Sequence, residues 1–531
     1  MRPALRADKK GHLLLVLHAH LPYIRYPEHE EHLEETWFHE AITESYIPLL
    51  NVIEDLLNDR TDFRLTISLT PSLLEMLGDD LLTNRFSRHI ESRIELAEKE
   101  VFRTKNDPEF GPVAKMYLDQ FKKTRRYFEE TCRKDLISSF RAISGSGRVE
   151  LITSSATHAY LPLHMQEPAS VRAQVRVGID TFRRHINKKP AGIWLPECGY
   201  SSGMDSIITK EGPEYFFLES LGLINGSPKP TKSIYRPVMT PAGMTAFARD
   251  TESSKQVWSA AYGYPGDPYY RDFYRDIGFD LDHSYLYAYL PGGTRTFTGL
   301  KYYRITGKTD LKEPYNREKA IIKAAEHAEH FMQERETQIA FLSCRLKTSP
   351  VITAAYDAEL FGHWWYEGPE WLRFVLRNPS ISRRSFRFAT PSELLGEAAE
   401  TIEPSASSWG RGGYSSVWID ESNAWIYKHL RKASRTMEEL VLANNRTTGI
   451  IKRALNQALR ELLLAQASDW PFMIKNGNAA DFAESKFREH ISNFFRLSDE
   501  IRCGNIQITG LELLEKKNNI FIDLDYRSFR K

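Results

Sequence analysis

The sequence predicts an α/β protein built on a parallel β-sheet and followed by a helical C-terminal region. Short apolar runs typical of buried strands alternate with segments of helical periodicity as far as about residue 400. Beyond residue 413 the helical spacing continues without such runs. A chain of 531 residues is long enough for two or three folding units, one of which could be a barrel. The alternation alone allows either an open sheet or a closed barrel.

The first predicted strand covers residues 13–17, where five apolar residues follow one another before His18. An unbroken apolar run is typical of a parallel strand that is buried on both faces. Later runs of the same kind are separated by segments with helical spacing. The further predicted strands are 63–69, 149–153, 192–195, 215–218, 338–343 and 351–356, and the predicted helices are 39–58, 81–143, 167–186, 203–212 and 316–335.

The longer-range organisation follows from changes in composition along the chain. A charged helical insertion is expected at about 81–145, and a stretch rich in Gly, Pro, Tyr and Asp at about 225–310 predicts long functional loops. The predicted units are a catalytic domain at 8–400 and a C-terminal helical domain at 401–531, which opens with a linker at 401–413, has helical spacing at 433–467 and 478–499, and ends in a short strand within 519–531.

Composition argues against several classes of partner. Basic and acidic residues number 71 and 70, so no charge field indicates nucleic acid or a membrane surface. The four cysteines lack CxxC spacing, which fits a reducing compartment, and the apolar run at 13–17 is too short for a signal sequence. We therefore expect a cytoplasmic protein with a neutral or small ligand, and its many aromatic residues beside Gly, Pro or His suit a sugar.

Two acidic residues, Glu197 and Asp357, each follow a predicted buried strand in a setting rich in aromatic residues. A carboxylate in such a position is costly unless it serves a purpose. A pair of carboxyl groups is what the cleavage of a glycosidic bond requires. Glu359 and His363 remain alternatives to Asp357 as the proton donor.

Three histidines also lie at or after the ends of predicted strands. His18 and His20 end the first strand at i and i+2, so both rings lie on one face and can reach one site. They suit either a metal pair or hydrogen bonds to a ligand hydroxyl. His158 follows the strand at 149–153, where active sites of barrels lie.

Aromatic residues near these groups are candidates for sugar contacts. Trp194 and Trp364 flank the two acids, and Trp409 and Trp418 belong to a glycine-flanked cluster. Exposed tryptophans are unfavourable unless they are covered or used. The segment 468–472, which runs Ser-Asp-Trp-Pro-Phe, is a further cluster, and it serves equally well as a packing anchor.

Five motifs in order resemble the signature regions of glycoside hydrolase family 57. They are HAHLPY at 18–23, GRVELITSSATHAYLPL at 147–163, WLPECGY at 194–200, YDAELFGHWW at 356–365 and SSWGRGGY at 407–414, and GYPGDPYYRDFYRDIGFD at 263–280 resembles the 1,4-α-glucan branching enzymes of that family.

The resemblance implies a (β/α)7 barrel with a helical insertion, a C-terminal helical domain, an α-glucan substrate, and a retaining mechanism without metal or other cofactor. Glu197 matches the nucleophile and Asp357 the general acid/base. The implied substrate-binding residues are His18, His20, His158, Trp409, Trp418, Asp469 and a loop tyrosine, for which Tyr264 is the first candidate and Tyr262 the second.

Two positions depart from the family pattern. Ser415 and Ser416 stand where a bulkier residue is expected, and Leu221 replaces a usual histidine. Three alternatives remain open. They are an α-amylase or 4-α-glucanotransferase on the same site, a metal-dependent hydrolase using His18, His20 and Asp357, and a non-catalytic glucan-binding protein.

Overall fold

A computed structural model of the protein describes residues 10–259, 262–378 and 384–530. Its centre is a sheet in which seven strands run parallel, in the order β7-β5-β4-β3-β2-β1-β8. The strands are β1 (Gly11–Ala19), β2 (Leu65–Leu69), β3 (Val149–Ser154), β4 (Gly192–Trp194), β5 (Tyr215–Leu218), β6 (Val238–Met239), β7 (Thr245–Ala248), β8 (Val351–Asp357) and β9 (Phe386–Phe388).

The seven strands form a (β/α)7 barrel. At the seam between the two outer strands, the backbone N–H of Asp250 donates to the carbonyl oxygen of Thr353 at 2.8 Å. Two short strands lie outside this ring, since β6 pairs antiparallel with β7, and β9 pairs with the first residues of β1. The barrel that the family resemblance implied is confirmed.

Helices surround the barrel and form the C-terminal region. A π-helical segment, Ala41–Tyr46, joins the first two, and a helical excursion lies between β2 and β3 as predicted. The α-helices are α1 (Glu35–Glu40), α2 (Ile47–Asn58), α3 (Pro71–Leu77), α4 (Asp80–Arg103), α5 (Phe110–Arg126), α6 (Leu136–Gly145), α7 (Pro168–Ile186), α8 (Met204–Ile208), α9 (Ser220–Ile224), α10 (Thr251–Trp258), α11 (Ile277–Asp280), α12 (His283–Leu286), α13 (Arg317–Leu346), α14 (Gly368–Arg377), α15 (Trp425–Ala443), α16 (Gly449–Ala465), α17 (Asp469–Asn476), α18 (Ala480–Cys503) and α19 (Ile508–Lys517).

The first strand shows why its residues are apolar without interruption. Leu14 and Val16 belong to the apolar cluster inside the barrel, whereas Leu13, Leu15 and Leu17 belong to the cluster outside it. Alternate side chains of a strand point to opposite faces, so both faces are buried here. The outer cluster continues without a break into α15, α16 and α18, and the domain division at residue 400 therefore stays a prediction.

Two predicted strands are wrong. Residues 338–343 lie inside α13, where Phe331, Arg335, Ile339 and Leu342 are buried at helical spacing. A short apolar run cannot distinguish a strand from a helix segment, and the helical period decides here. Residues 519–530 contain no strand but a 3-10 turn, Tyr526–Phe529, whose first backbone N–H groups are capped by the side chain of Asp525.

Candidate active site

The strand ends bring the predicted histidines and acids to one face of the barrel. His18 on β1 lies opposite Ser68 on β2 and opposite Asp357 on β8. Because all seven strands are parallel, their carboxyl ends meet at this face, where barrel active sites lie. The predicted site residues from β1 and β8 are therefore neighbours.

Glu197 is held in a strained backbone conformation at the end of β4. Its φ is +62° and that of Cys198 is +49°, in the left-handed region that side chains other than glycine seldom adopt. Such strain is typical of functional sites, where the surrounding structure fixes the residue. Trp409 Nε1 donates to Glu197 Oε2 at 2.6 Å, and the backbone N–H of Trp409 donates to the Glu197 carbonyl at 2.9 Å. The carboxylate is thus oriented while 13% of its side chain stays accessible.

A chain of hydrogen bonds ends on the other oxygen of the same carboxylate. Ser68 Oγ lies 3.1 Å from His18 Nδ1, and His18 Nε2 lies 2.9 Å from His158 Nε2. His158 Nδ1 lies 2.9 Å from Ser468 Oγ, which donates to Glu197 Oε1 at 3.0 Å. Burial lowers the pKa values of His18 and His158 well below the usual range, so both rings are neutral. With Glu197 ionised, the donors then run in one direction, from Ser68 through the two histidines and Ser468 to the carboxylate.

The third histidine has a different environment. His20 Nε2 donates to Asp469 at 3.1 Å, and its Nδ1 lies 3.2 Å from Thr70 Oγ1. Burial acts to lower the pKa of His20, but the carboxylates of Asp469, Glu197 and Glu359 together outweigh it and raise that pKa above its usual value. The ring also stacks on His158 with centroids 3.8 Å apart. His20 and Asp469 together provide a charged edge to the site.

The two acids have raised pKa values. Burial raises the pKa of Glu197 to about 7, although the hydrogen bonds from Trp409 and Ser468 act to lower it. Burial, and then the carboxylates of Glu359 and Glu197, raise the pKa of Asp357 well above its usual range. Both carboxyl groups thus resist ionisation, and Glu197 carries hydrogen bonds that favour its anion.

The two alternatives to Asp357 as the proton donor, Glu359 and His363, form hydrogen bonds with other residues. Glu359 accepts hydrogen bonds from the hydroxyl of Tyr46 at 2.5 Å and from the backbone N–H of His20 at 3.1 Å. His363 Nδ1 lies 2.8 Å from Glu44 Oε2. Both side chains are thus held by hydrogen bonds to other residues, whereas Asp357 is the last residue of β8.

One group of described residues has the spacing of a metal site. His20, His158 and Asp469 each offer a donor atom, and these atoms lie within 4.8 Å of one another. His18 and Asp357 do not belong to that group. The nitrogens of the two rings already pair with Thr70, His18, Ser468 and Asp469, so this donor set forms a closed hydrogen-bond network.

The predicted tryptophans occupy three different settings. Trp194 is fully buried and stacks on His18 with centroids 4.8 Å apart, and Trp418 is buried against Tyr160 at 4.6 Å. Both are therefore packing partners of other rings rather than exposed surfaces for a sugar. Trp409 contacts Glu197 directly, whereas Trp364 is 52% exposed on the segment that follows β8.

The two loop tyrosines differ sharply. Tyr264 is buried, and its hydroxyl lies 2.8 Å from His330 Nδ1 while its ring stacks on His327. Tyr262 is 96% exposed. The structure therefore places the first candidate in the packing against α13 and leaves the second free at the surface.

The departures from the family pattern have local packing partners. Ser415 Oγ lies 2.8 Å from the hydroxyl of Tyr160, the ring that stacks on Trp418. Leu221 lies against Gly413, where an added Cβ would come within 2.3 Å of its side chain. Both changes therefore touch the 407–414 segment that carries Trp409.

Two residues that complete the site were given no role in the sequence analysis, although Ser468 lies in the cluster at 468–472. Ser468 connects His158 to Glu197 from a position 271 residues further along the chain. Arg249 follows β7, pairs with Glu219 at 2.9 Å, and lies with its guanidinium 4.8 Å from the centre of the Trp409 ring. Its position after a strand is the signal that could have identified it, but β7 lies in the stretch that was predicted to be irregular.

A barrel whose strand ends hold two buried carboxyl groups with raised pKa values, one of them oriented by tryptophan and serine, has the features of a carbohydrate-active enzyme of the glycosidase type. A model of glycosyl hydrolase family 57 matches residues 14–405, and a model described as the C-terminal region of 1,4-alpha-glucan branching enzymes matches residues 429–529. The chain belongs to glycosyl hydrolase family 57.

The similar proteins are named either as branching enzymes or as an alpha-amylase. A 1,4-alpha-glucan branching enzyme of Thermococcus kodakarensis is 33% identical, over 96% of this chain and 77% of the relative. Its crystal structure has a TM-score of 0.89 at 32% identity, covering 98% of this chain and 97% of that one. The structure of an alpha-amylase from Thermotoga maritima has a TM-score of 0.91 at 41% identity, covering 98% and 99% of the two chains.

Among the residues that the structure describes, no helix is long and apolar enough to cross a membrane. All four cysteines lie in that part of the chain and are free thiols.

Proposed function

We propose that the chain is a 1,4-α-glucan branching enzyme, which cleaves an α-1,4-linked glucan and transfers the released segment to a 6-hydroxyl group. The observation that carries the proposal is the hydrogen bond from Ser468 to Glu197. Ser468 belongs to the region that matches the branching-enzyme C-terminal model. The part of the chain that is characteristic of branching enzymes thus contributes directly to the carboxylate pair.

In the first step, Glu197 attacks the anomeric carbon and forms a glycosyl ester. The bond to the leaving oxygen breaks, and Asp357 gives that oxygen its proton. The hydrogen bonds from Trp409 and Ser468 support this role, because they orient the carboxylate and stabilise its ionised form. The raised pKa of Asp357, caused by burial and by neighbouring carboxylates, suits a general acid.

In the second step, the 6-hydroxyl of an acceptor glucan attacks the anomeric carbon. Its proton passes to Asp357, and the bond to Glu197 breaks. Two displacements at one carbon retain the α-configuration. Asp469 lies at the same face with 11% of its side chain accessible, and we assign it to the hydroxyl groups of the bound sugar. The ring nitrogens of His18, His20 and His158 are already paired, so we assign these rings to the positioning of Glu197 and Asp469.

Transfer requires that water be kept away from the glycosyl ester. We assign this task to the segment after β7, which leaves the barrel at the face where Arg249 contacts Trp409. Tyr262 on this segment is exposed, whereas Tyr264 is committed to His330. Tyr262 is therefore the better candidate for the tyrosine that shields the intermediate.

The test is the product formed from linear amylose. Proton NMR should show new α-1,6 signals, and debranching should release short linear chains. The Glu197→Gln variant should form no such signals. A rise in reducing ends without α-1,6 linkages would instead establish the second candidate, an α-amylase, which the 41% identity to the Thermotoga maritima structure favours.

We further propose that the enzyme acts in the cytoplasm on a glycogen-type polymer. Free thiols support this assignment, because two of the four, Cys344 and Cys503, are exposed and would be oxidised readily outside a reducing compartment. Alkylation of protein taken directly from cells should label both residues. Oxidised thiols at both would contradict this location.

A further inference from the structure

A row of aromatic side chains begins on the segment that follows Asp357 and leads away from the site. Trp364 stacks on Phe273 with centroids 4.4 Å apart and ring planes at 26°. Phe273 lies 5.5 Å from Phe297, which lies 5.3 Å from Phe279. We call these four rings the aromatic track. Its two ends, Trp364 and Phe279, are each about half exposed.

A buried lysine holds the middle of the track. Lys301 is almost completely buried, and its Nζ lies 4.1 Å from the centre of the Phe273 ring and 4.4 Å from that of Phe297. A cation over an aromatic face is attracted by the ring quadrupole, and more strongly where water is excluded. Burying an ammonium group is otherwise unfavourable, and burial indeed lowers the pKa of Lys301. The contact therefore fixes both rings at a cost that plain packing would not require.

The track is attached to the catalytic strand. Trp364 lies seven residues after Asp357, and its backbone N–H donates to the Glu359 carbonyl at 3.3 Å. His363, between them, meets the edge of the Phe273 ring at 5.2 Å and is anchored by Glu44. A chain that occupies the site on the Asp357 side can thus continue over the exposed rings.

We propose that the aromatic track binds a distal stretch of an α-1,4-glucan chain, beyond the sugars that contact the carboxylate pair. The apolar C–H faces of glucose rings pack on aromatic faces, and contiguous exposed apolar patches mark binding surfaces. Only chains long enough to pass from the cleft to Phe279 use the track. This assignment rests on the proposed function, since it takes an α-glucan as the substrate.

The experiment measures binding in the inactive Glu197→Gln background, so that turnover does not interfere. Phe279→Ala removes an exposed ring from the far end of the track and should weaken retention on amylose in affinity electrophoresis about two- to tenfold. Binding of maltotriose, which we expect to occupy only the sugar sites at the carboxylate pair, should stay as in the parent. Phe341→Ala is the matched control, because Phe341 is exposed on α13 and belongs to no ring pair of the track.

Variants of Lys301 test whether its ammonium group holds the rings of Phe273 and Phe297 in place. Lys301→Met should weaken amylose retention like Phe279→Ala, and Lys301→Arg, which keeps a cation over the rings, should restore most of it. Equal retention of amylose by Phe279→Ala and Phe341→Ala would overturn the track. Failure of the Glu197→Gln parent to bind any glucan would overturn the proposed function itself, so the two failures are distinguishable.

Discussion

The carboxylate pair and the exposed aromatic residues Tyr262 and Trp364, which we call the rim, are held in different ways. Glu197 is fixed by Trp409 and Ser468 from two distant segments, and by a strained backbone. On the rim, Tyr262 and Trp364 are exposed, and ring contacts rather than hydrogen-bond networks order the neighbouring side chains. We therefore propose that the interior determines which bond breaks, whereas the surface determines what receives the sugar.

The relatives illustrate the same division. An alpha-amylase and a branching enzyme superpose on this chain with TM-scores of 0.91 and 0.89, so the fold is common to both names. Transfer and hydrolysis differ only in whether a sugar hydroxyl or water attacks the intermediate. The distinction must therefore lie in the side chains that cover the site.

The largest effect is expected at the centre of the interior. Glu197→Gln should lower kcat by about 10⁴-fold or more while glucan binding persists, since the nucleophile is lost and the shape is kept. Steady-state kinetics and affinity electrophoresis measure the two quantities. Glu313→Gln, at an exposed glutamate, is the control. Retained turnover in Glu197→Gln would assign the chemistry to another group.

Removal of the acid should have a smaller effect that depends on the substrate. Asp357→Asn should slow amylose conversion by about 10²- to 10⁴-fold, the usual contribution of general acid–base catalysis. The release of fluoride from an α-glucosyl fluoride in the first turnover should suffer much less, because fluoride leaves without a proton. Equal losses with both substrates would contradict the role of Asp357 as proton donor.

The pH profile distinguishes the two acids. The pKa of Glu197 is raised to about 7 by burial, so kcat/KM should fall as the pH drops below about 7 and the nucleophile becomes protonated. Trp409→Phe removes a hydrogen bond that favours the ionised form, so the acidic limb should move to higher pH. The expected loss is about tenfold at pH 6, and smaller at pH 8. A limb that stays in place would show that Trp409 does not tune Glu197.

On the rim, the product ratio should change while cleavage continues. Tyr262→Ala should raise the ratio of hydrolysis to transfer a few-fold, because water gains access to the intermediate. Tyr264→Ala should instead destabilise the fold by about 3 kcal/mol, since it removes a buried ring and its bond to His330. Reducing-end and α-1,6 linkage assays, with thermal unfolding, separate these outcomes. The reverse assignment would restore Tyr264 as the shielding residue.

The smallest effect is expected on removing metals. Incubation with a chelator should leave activity unchanged, because the donor atoms of His20, His158 and Asp469 serve as hydrogen-bond partners. Metal analysis of the purified protein checks the same point. Activity that is lost in chelator and restored by a single divalent ion would favour the metal-dependent alternative.

Much of the site could be predicted because its residues follow strand ends. His18 and Asp357 come directly after an apolar run, and Glu197 and His158 follow one within five residues. The parallel fold brings such positions to one face. Their catalytic and binding roles stay predictions. The role of Ser468 could not be predicted, since its contact with Glu197 depends on how α17 docks against the barrel.

The errors in the fold come from short segments. Thr245–Ala248 is a four-residue strand within a stretch rich in Gly and Pro, and its pairing with β5 decides its structure. Residues 338–343 form an apolar run that suits either a strand or a helix, and the preceding helix continues through it. Local sequence does not contain these tertiary contacts, which favour one structure over the other.

The most direct test of the account is to trap the glycosyl-enzyme. Asp357→Asn should be treated with α-maltosyl fluoride, which forms the ester without an acid, whereas the missing base slows its breakdown. Peptide mass spectrometry should then find one maltosyl group on Glu197, and none when Glu197→Gln is added to the same variant. Turnover of the fluoride with no adduct, or an adduct on any other residue, would contradict the assignment of Glu197 as the nucleophile.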